Sequence, residues 1–372
     1  MRFVMAYEGI LNISSLNLER ATELRKMPMI YLTKDGKPRF VSEVPAISGL
    51  MLKHWHFRNL INLSRESGDK ICFFCNRLEA IRLPPEQVQR YYEELYKVKY
   101  GDKEIELIEN CVGEDVHGFL AVVKGKSLRR EGNVKFSWAI ALGGRENEEY
   151  QEEAYRRIVI VQHSRHVREI PPEEEVKRQL EALKSGRNGG SGKNEKKDEF
   201  NDLMKQLKQL QMPYPKPYTS EVFGFTTIAD LSAIGVSLTD NGKIIDPEVR
   251  KIRQRNTILA YAKMLFGEIG ANLSRSLPIA GKFRLLIAAS KKGHIPPPVH
   301  PVYPNYLVES VKLIKDAAEL FQDPAIIRIY AYDMNRETKN ALESEDSDLV
   351  DVKVVETPFT EGFGKVLEFL GL

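Results

Sequence analysis

The sequence is poor in cysteine, in long apolar runs and in net charge. Among its 372 residues Cys72, Cys75 and Cys111 are the only cysteines, too few for a disulfide framework. A reducing, cytoplasmic setting is therefore expected. No run of ~18 apolar residues exists, so no membrane span is expected. The opening MRFVMAYEGILNISS alternates like a strand and unlike a signal peptide. The formal net charge is only +3, so an anionic partner must be met by local clusters of cations. Walker loops, GxGxxG, HExxH and GxSxG are absent, and no carboxylates form a compact acid–base pair. Nor is there a repeat of roughly 20 to 50 residues, which excludes a solenoid or propeller.

What is present is a mixed succession of β-type and helical segments. Residues 1–13, 27–32 and 38–47 read as strands, and a helix opens near Ser48. Residues 85–111 look helical, and 117–142 read as a long hairpin with a polar, cationic loop. Residues 156–167 read as another strand. Pro171-Pro172 followed by three glutamates signals a helix start within 168–217, and SGRNGGSGKNEKKDE then cannot build a core. Residues 218–240 read as a strand or strand pair, and 247–270 as a strong helix. A strand at 282–290, a helix at 307–320 and a β–α–β–α ending follow. This order favours an α+β, ferredoxin-like (RRM-like) core with large insertions.

Cations cluster at particular places. In VPAISGLMLKHWHFRN (44–59), Ser48 is a good N-cap and Gly49 permits close backbone approach. Lys53, His54, His56 and Arg58 then thread between apolar residues, so a helix packed on more than one side carries an anion site at its start. The bland reading is a buried helix whose cations reach out to solvent. Lys124, Lys126, Arg129, Arg130 and Lys135 oppose only Glu131 in the hairpin, which suits phosphate contact or a plain solvated tip. VQHSRHVR sets His163 and Arg165 on one strand face. Arg275 lies in the glycine-flanked GANLSRSLPIAGK, a phosphate path or an ordinary loop. CFFC (72–75) with Cys111 and His117 offers four zinc ligands. There is no second CxxC, however, and the two phenylalanines suit core packing, so no metal or cofactor is expected.

The order of these elements, VPAISGLMLKHWH, then DVHGFL…SLRREGNVKFSWAIAL, QHSRH, VFGFTTIADLSAIGVSL and RKIRQRNTILAYAKMLFGEIGANLSRSLP, resembles the DevR-type family. That family supplies the repeating backbone subunit of archaeal CRISPR Cascade complexes. The resemblance runs from about residue 1 to 310, with gaps. It implies an RRM-like palm, which together with the order of elements divides the chain into a first palm part, 1–167, and a second, 218–372, that ends in the C-terminal βαβα segment. A helical insertion at about 48–112 and a thumb hairpin at about 120–137 would interrupt the first part, and 168–217 would be a surface insertion.

The partners implied are guide RNA, further copies of the chain in a head-to-tail filament, other Cascade subunits and target DNA paired to the guide. Carried over by motif, Ser48, Gly49, Lys53, His56 and Arg58 would hold the guide from the helix. Lys126, Arg129, Arg130 and Lys135 would lie in the thumb, His163 and Arg165 on the palm, and Arg275 in the glycine-rich loop. Arg20, Arg25 and Lys26 would approach the guide from the loop after the first strand.

Two features depart from the family: the long 168–217 insertion and the acid-rich C-terminal βαβα segment. RNA-cleaving relatives carry an aspartate in the loop after the first strand, where this chain has Asn17, Glu19, Arg20 and Glu23. The expectation is a non-catalytic, antiviral guide-RNA subunit. The alternative is a metal-independent endoribonuclease using His56 or His163 as general acid or base, and a third reading is a zinc-dependent nucleic-acid protein through Cys72, Cys75 and Cys111.

Overall fold

Phe3, Met5 and Tyr7 alternate with Val4, Ala6 and Glu8 along the first strand, and both sets are buried. A strand hidden on both faces belongs in the middle of a covered sheet. The computed structural model has this arrangement. It describes residues 1–12, 18–20, 23–32, 36–78, 86–96, 103–123, 126–145, 159–164, 172–176, 178, 201–202, 205, 213–267 and 282–372.

In chain order, β1 (Arg2–Asn12), β2 (Leu18–Arg20), β3 (Glu23–Leu24), β4 (Lys26–Leu32) and β5 (Pro38–Ile47) come first. They precede α1 (Gly49–Glu66), α2 (Phe73–Asn76), α3 (Glu86–Tyr96), α4 (Glu104–Asn110) and α5 (Val112–His117). Next are β6 (Phe119–Val123), β7 (Lys126–Arg130), β8 (Val134–Phe136), β9 (Ala139–Ala141), β10 (Val159–Ser164) and β11 (Pro213–Tyr218). β12 (Ser220–Asp230), α6 (Pro247–Leu265), β13 (Phe283–Ser290) and α7 (Tyr306–Leu320) follow. β14 (Ala325–Ala331), α8 (Arg336–Glu343), β15 (Val350–Val354) and α9 (Lys365–Leu370) end the chain.

The main sheet is mixed, in the order β15-β14-β13-β1-β12-β9-β5-β4, with β8 also on β12. β12 and β13 flank β1, both antiparallel to it, and α6 joins them. β9, antiparallel to β12, therefore runs parallel to β1, and α1 lies between the two in the chain. On one face Phe3, Met5 and Tyr7 share a core with Leu52, Phe57 and Leu60 of α1 and Ile258, Tyr261 and Met264 of α6. On the other, Val4 and Ala6 meet Val311, Ile314 and Ala318 of α7. Each fully buried Val, Leu, Ile, Phe or Met among them contributes about 1.5–3 kcal/mol.

The 117–142 hairpin is shorter than its sequence pattern indicates. β6 and β7 pair from Phe119↔Arg130 to Val123↔Lys126, and β8 and β9 leave the hairpin to join β12. The chain is pinned between them: Asn133 N–H donates to Val116 O (2.8 Å), and Asp230 N–H donates to Asn133 O (2.8 Å). The C-terminal segment extends the same sheet, β14 antiparallel to β13 and β15 parallel to β14. Most of 168–217 lies outside the described residues, and its end, β11, pairs with β10. Among the described residues no helix is long and apolar enough to cross a membrane.

Candidate nucleic-acid interface

The start of α1 is built against the sheet. Ser48 is buried and caps the helix, its Oγ accepting from Met51 N–H at 3.3 Å. A Cβ on Gly49 would stand 2.6 Å from the Phe136 carbonyl oxygen, so packing alone demands glycine there. Both residues thus have structural duties that need no ligand. One turn on, the half-buried Lys53 reaches the link between β7 and β8, where any Cβ on Gly132 would collide with its Nζ. Arg58 covers the Trp55 ring, 4.7 Å from its centroid.

Adjacent residues of β7 have opposite fates. Alternation sends Arg129 to solvent and Arg130 inward. Arg130 donates to Glu104 Oε1 (2.7 Å), Asp115 Oδ1 (2.8 Å) and the carbonyls of Asp115, Ala233 and Val236. Asp115 in turn accepts from Gly235 N–H and from Arg253, whose guanidinium also forks onto Asp69 at 2.8 and 2.9 Å. Glu104 Oε2 accepts from Leu238 N–H and Thr239 N–H, both at 2.9 Å. Burial alone would push the Glu104 carboxyl up, but the Thr239 and Arg130 hydrogen bonds outweigh it and hold the carboxyl below its ordinary range. Arg130 is therefore removed from the phosphate-binding set: its donors are spent inside the protein. It anchors the hairpin base instead.

Arg129 and Lys135 remain on the surface, 3.7 and 3.8 Å from the one carboxylate of Glu131. They border a cleft of about 460 Å³ that Arg2, Gly132 and Asn133 also line. Arg2, Arg129 and Lys135 face the carboxylates of Glu131 and Asp230 in this cleft, and with Lys53 behind Gly132 the hairpin base carries an excess of positive charge.

His56 is also corrected. It is fully buried, with Nε2 2.9 Å from Thr257 O and Nδ1 3.0 Å from His117 Nε2. Burial pushes its pKa down to about 3. Neither phosphate nor a scissile bond can reach it. Lys26 is paired with Glu43 at 2.9 Å, and the Arg25 guanidinium lies 5.7 Å from the Trp138 ring centroid. The side chains of Arg20, Lys126 and His163 lie outside the described residues, although their strands β2, β7 and β10 are described. Arg165 and Arg275 lie outside them altogether.

The helical segment between β5 and β6 gathers Cys72, Cys75 and Cys111, but with Glu114 rather than His117. A second cleft, of about 430 Å³, carries Arg145, Arg284 and Asp333. Glu8 bridges the two arginines at 3.2 and 3.3 Å. No motif in the sequence signals that pairing, which joins residues far apart in the chain.

The fold and this rim define an α+β protein with basic groups collected at the base of a β-hairpin. The family model described as "CRISPR-associated negative auto-regulator DevR/Csa2" matches residues 6–311, and the chain belongs to that family. "CRISPR-associated protein Cas7/Cst2/DevR" of Methanocaldococcus jannaschii is 31% identical over 284 residues, 75% of this chain and 77% of that protein. A protein of the same description from Thermoproteus tenax is 26% identical over 311 residues, 83% of this chain and 80% of its own length. Among solved structures, a chain of a "CRISPR RNA-guided surveillance complex, pre-nicking" is similar over 99% of this chain and 100% of that one. Its identity is 12% and its TM-score 0.46, too distant a likeness to carry an argument.

Proposed function

We propose that this chain is a non-catalytic guide-RNA-binding backbone subunit of a CRISPR Cascade surveillance complex. The observation that carries the reading is the cationic rim of Lys53, Arg129 and Lys135 around Gly132, in a chain of the DevR/Csa2 family. Such a rim neutralises phosphates whatever the base sequence, as a subunit that must accept any guide requires. We read β1, β9, β12 and β13 with the crossover helices α1 and α6 as an RRM-like palm, and the β6–β7 hairpin as the thumb. Copies stack head to tail along the guide, beside other Cascade subunits, and target DNA pairs with the guide they hold.

The endoribonuclease reading loses one of its two histidines, since His56 is enclosed and hydrogen-bonded on both ring nitrogens. The decisive experiment mixes purified protein with CRISPR repeat RNA in EDTA. Retained binding without discrete cleavage products is expected; discrete products would favour the enzyme.

A further inference from the structure

CFFC is the one motif that the RNA-binding reading leaves unused. Its two thiols meet a second pair of the same spacing, Cys111 and Glu114, so that C-x-x-C faces C-x-x-E. Cys72 precedes α2 and Cys75 lies within it. Cys111 separates α4 from α5, and Glu114 is in α5. Val112 N–H donates to Lys70 O at 3.1 Å, which holds the two segments side by side. Glu114 Oε1 is 3.6 Å from Cys75 Sγ and 3.9 Å from Cys72 Sγ. All four candidate ligand atoms lie within 4.8 Å of one another. Cys75, Cys111 and Glu114 are buried, Cys72 is partly exposed, and all three cysteines are free thiols.

We infer that Cys72, Cys75, Cys111 and Glu114 form a structural zinc site that fastens the helical segment to the base of the hairpin. Tetrahedral zinc, with bonds of about 2.3 Å to sulfur and 2.1 Å to oxygen, places its ligand atoms roughly 3.6–3.8 Å apart. The Glu114 oxygen already stands at that separation from one thiol, and the remaining contraction is small. Three thiolates and a carboxylate suit zinc's borderline-soft character and leave no open coordination position, as in a structural centre. An iron–sulfur cluster would ask for four thiolates.

The fourth ligand is Glu114, because its carboxylate lies among the three thiols while His117 lies outside that cluster and holds His56 through Nε2. Loading the site requires the thiols to release their protons and the metal to replace the thiol–carboxylate hydrogen bonds. The bound metal would fix the start of α5, and the next residue, Asp115, holds Arg130 and Arg253. The site thereby connects helix packing to the hairpin that carries Arg129.

Metal analysis and cobalt substitution on the full chain test the inference. Purified under reducing conditions, the chain is expected to retain a single equivalent of zinc. After removal by chelator it should take up one equivalent of Co(II) with intense sulfur-to-cobalt charge-transfer absorption. Zinc should also protect the three thiols from a disulfide reagent and raise the melting temperature of the wild-type chain. Glu114→Gln and the partly exposed Cys72→Ser should weaken Co(II) binding at least about 10-fold, the lower bound for disturbing even an outer-shell partner. Cys75 is fully buried in the core, so the wild-type spectra and thiol protection carry the test without a Cys75 variant. A wild-type chain that takes up Co(II) without charge-transfer bands, or whose thiols react equally fast with and without zinc, overturns the inference. Full affinity in Glu114→Gln overturns it also, since the fourth ligand would then be another group.

Discussion

His117 Nε2 lies 3.0 Å from His56 Nδ1, and that contact fixes the protons on both rings. Thr257 O can only accept, so His56 Nε2 carries a proton, His56 Nδ1 is the acceptor, and His117 Nε2–H donates to it. With its pKa pushed down, His56 is neutral near pH 7, and the proton on Nε2 leaves Nδ1 as the acceptor. Burial is the largest cause of the depressed pKa of about 3, and the nearby Lys53 charge adds to it.

This pair makes stability depend on pH. The folded value of His56 lies below its ordinary 6.5, so its contribution is fully present above about pH 6.5 and is lost as pH falls toward 3. The loss approaches about 1.4 kcal/mol per pH unit for the one proton taken up on unfolding. Urea unfolding from pH 7 to pH 4 should show this slope, reduced in His56→Asn. An equal slope in wild type and variant would assign the dependence elsewhere.

The helices and the central strand were legible because their signals are local. Residues 1–13 read as a strand from their pattern, and only the structure shows that both faces of β1 are covered. Ser48 caps α1 as its sequence indicates, and the roughly 3.6-residue spacing of Ile252, Ile258, Ala262 and Leu265 marks α6. The roles of neighbouring cations were not legible. Arg129 and Arg130 look alike in sequence, and only partners at Glu104, Asp115, Ala233 and Val236 separate a surface cation from a buried anchor. The fourth member of the cysteine cluster escaped for a related reason. His117 is the more familiar zinc ligand, but the helical turn of α5 points Glu114 at the thiols and leaves His117 for His56.

Removing Arg253 should be costly. Its side chain is fully enclosed and pairs with Asp69 and Asp115, so Arg253→Met would leave two buried carboxylates short of their cation. A loss of about 3–5 kcal/mol is expected, whereas Arg129→Ala on the surface should change stability by no more than about 0.5 kcal/mol. Denaturant unfolding of both variants checks the contrast. Equal effects would mean that the network does not support the hairpin base.

Gly118 should resist substitution for reasons of backbone shape. It turns the chain from α5 into β6 at φ +76°, and a Cβ there would lie 2.6 Å from Gly132 N. Gly118→Ala therefore combines left-handed strain with a backbone clash, and a loss above ~1 kcal/mol is expected. Gly36, also left-handed at φ +79° but open to solvent, is the control. Its alanine variant should show the strain alone, and a Gly118→Ala loss no larger than the control would discount the clash.

RNA affinity should fall with salt in proportion to the phosphates contacted, each contributing about 0.7 to the log–log slope for a single strand. Lys53→Ala should lower the slope by about one phosphate while leaving sequence preference unchanged. Fluorescence anisotropy over a salt series measures it. A slope that is flat in the wild type would sink the phosphate-cradle reading.

Assembly separates a filament subunit from a self-contained enzyme. A head-to-tail contact does not close on itself, so copies should add for as long as RNA is available to hold them. Arg129 and Lys135 are both exposed and share the Glu131 carboxylate, and like copies of this cationic surface repel unless a polyanion lies between them. Protein bound per RNA should therefore rise in proportion to RNA length, read by light scattering across a series of lengths. Arg129→Ala with Lys135→Ala should weaken this growth and leave the monomer folded, because neither side chain supports the core. Arg130 must be left in place, since its loss would unseat the hairpin and confuse folding with binding. A ratio fixed at one or two proteins per RNA at every length would exclude the filament and return attention to the endoribonuclease.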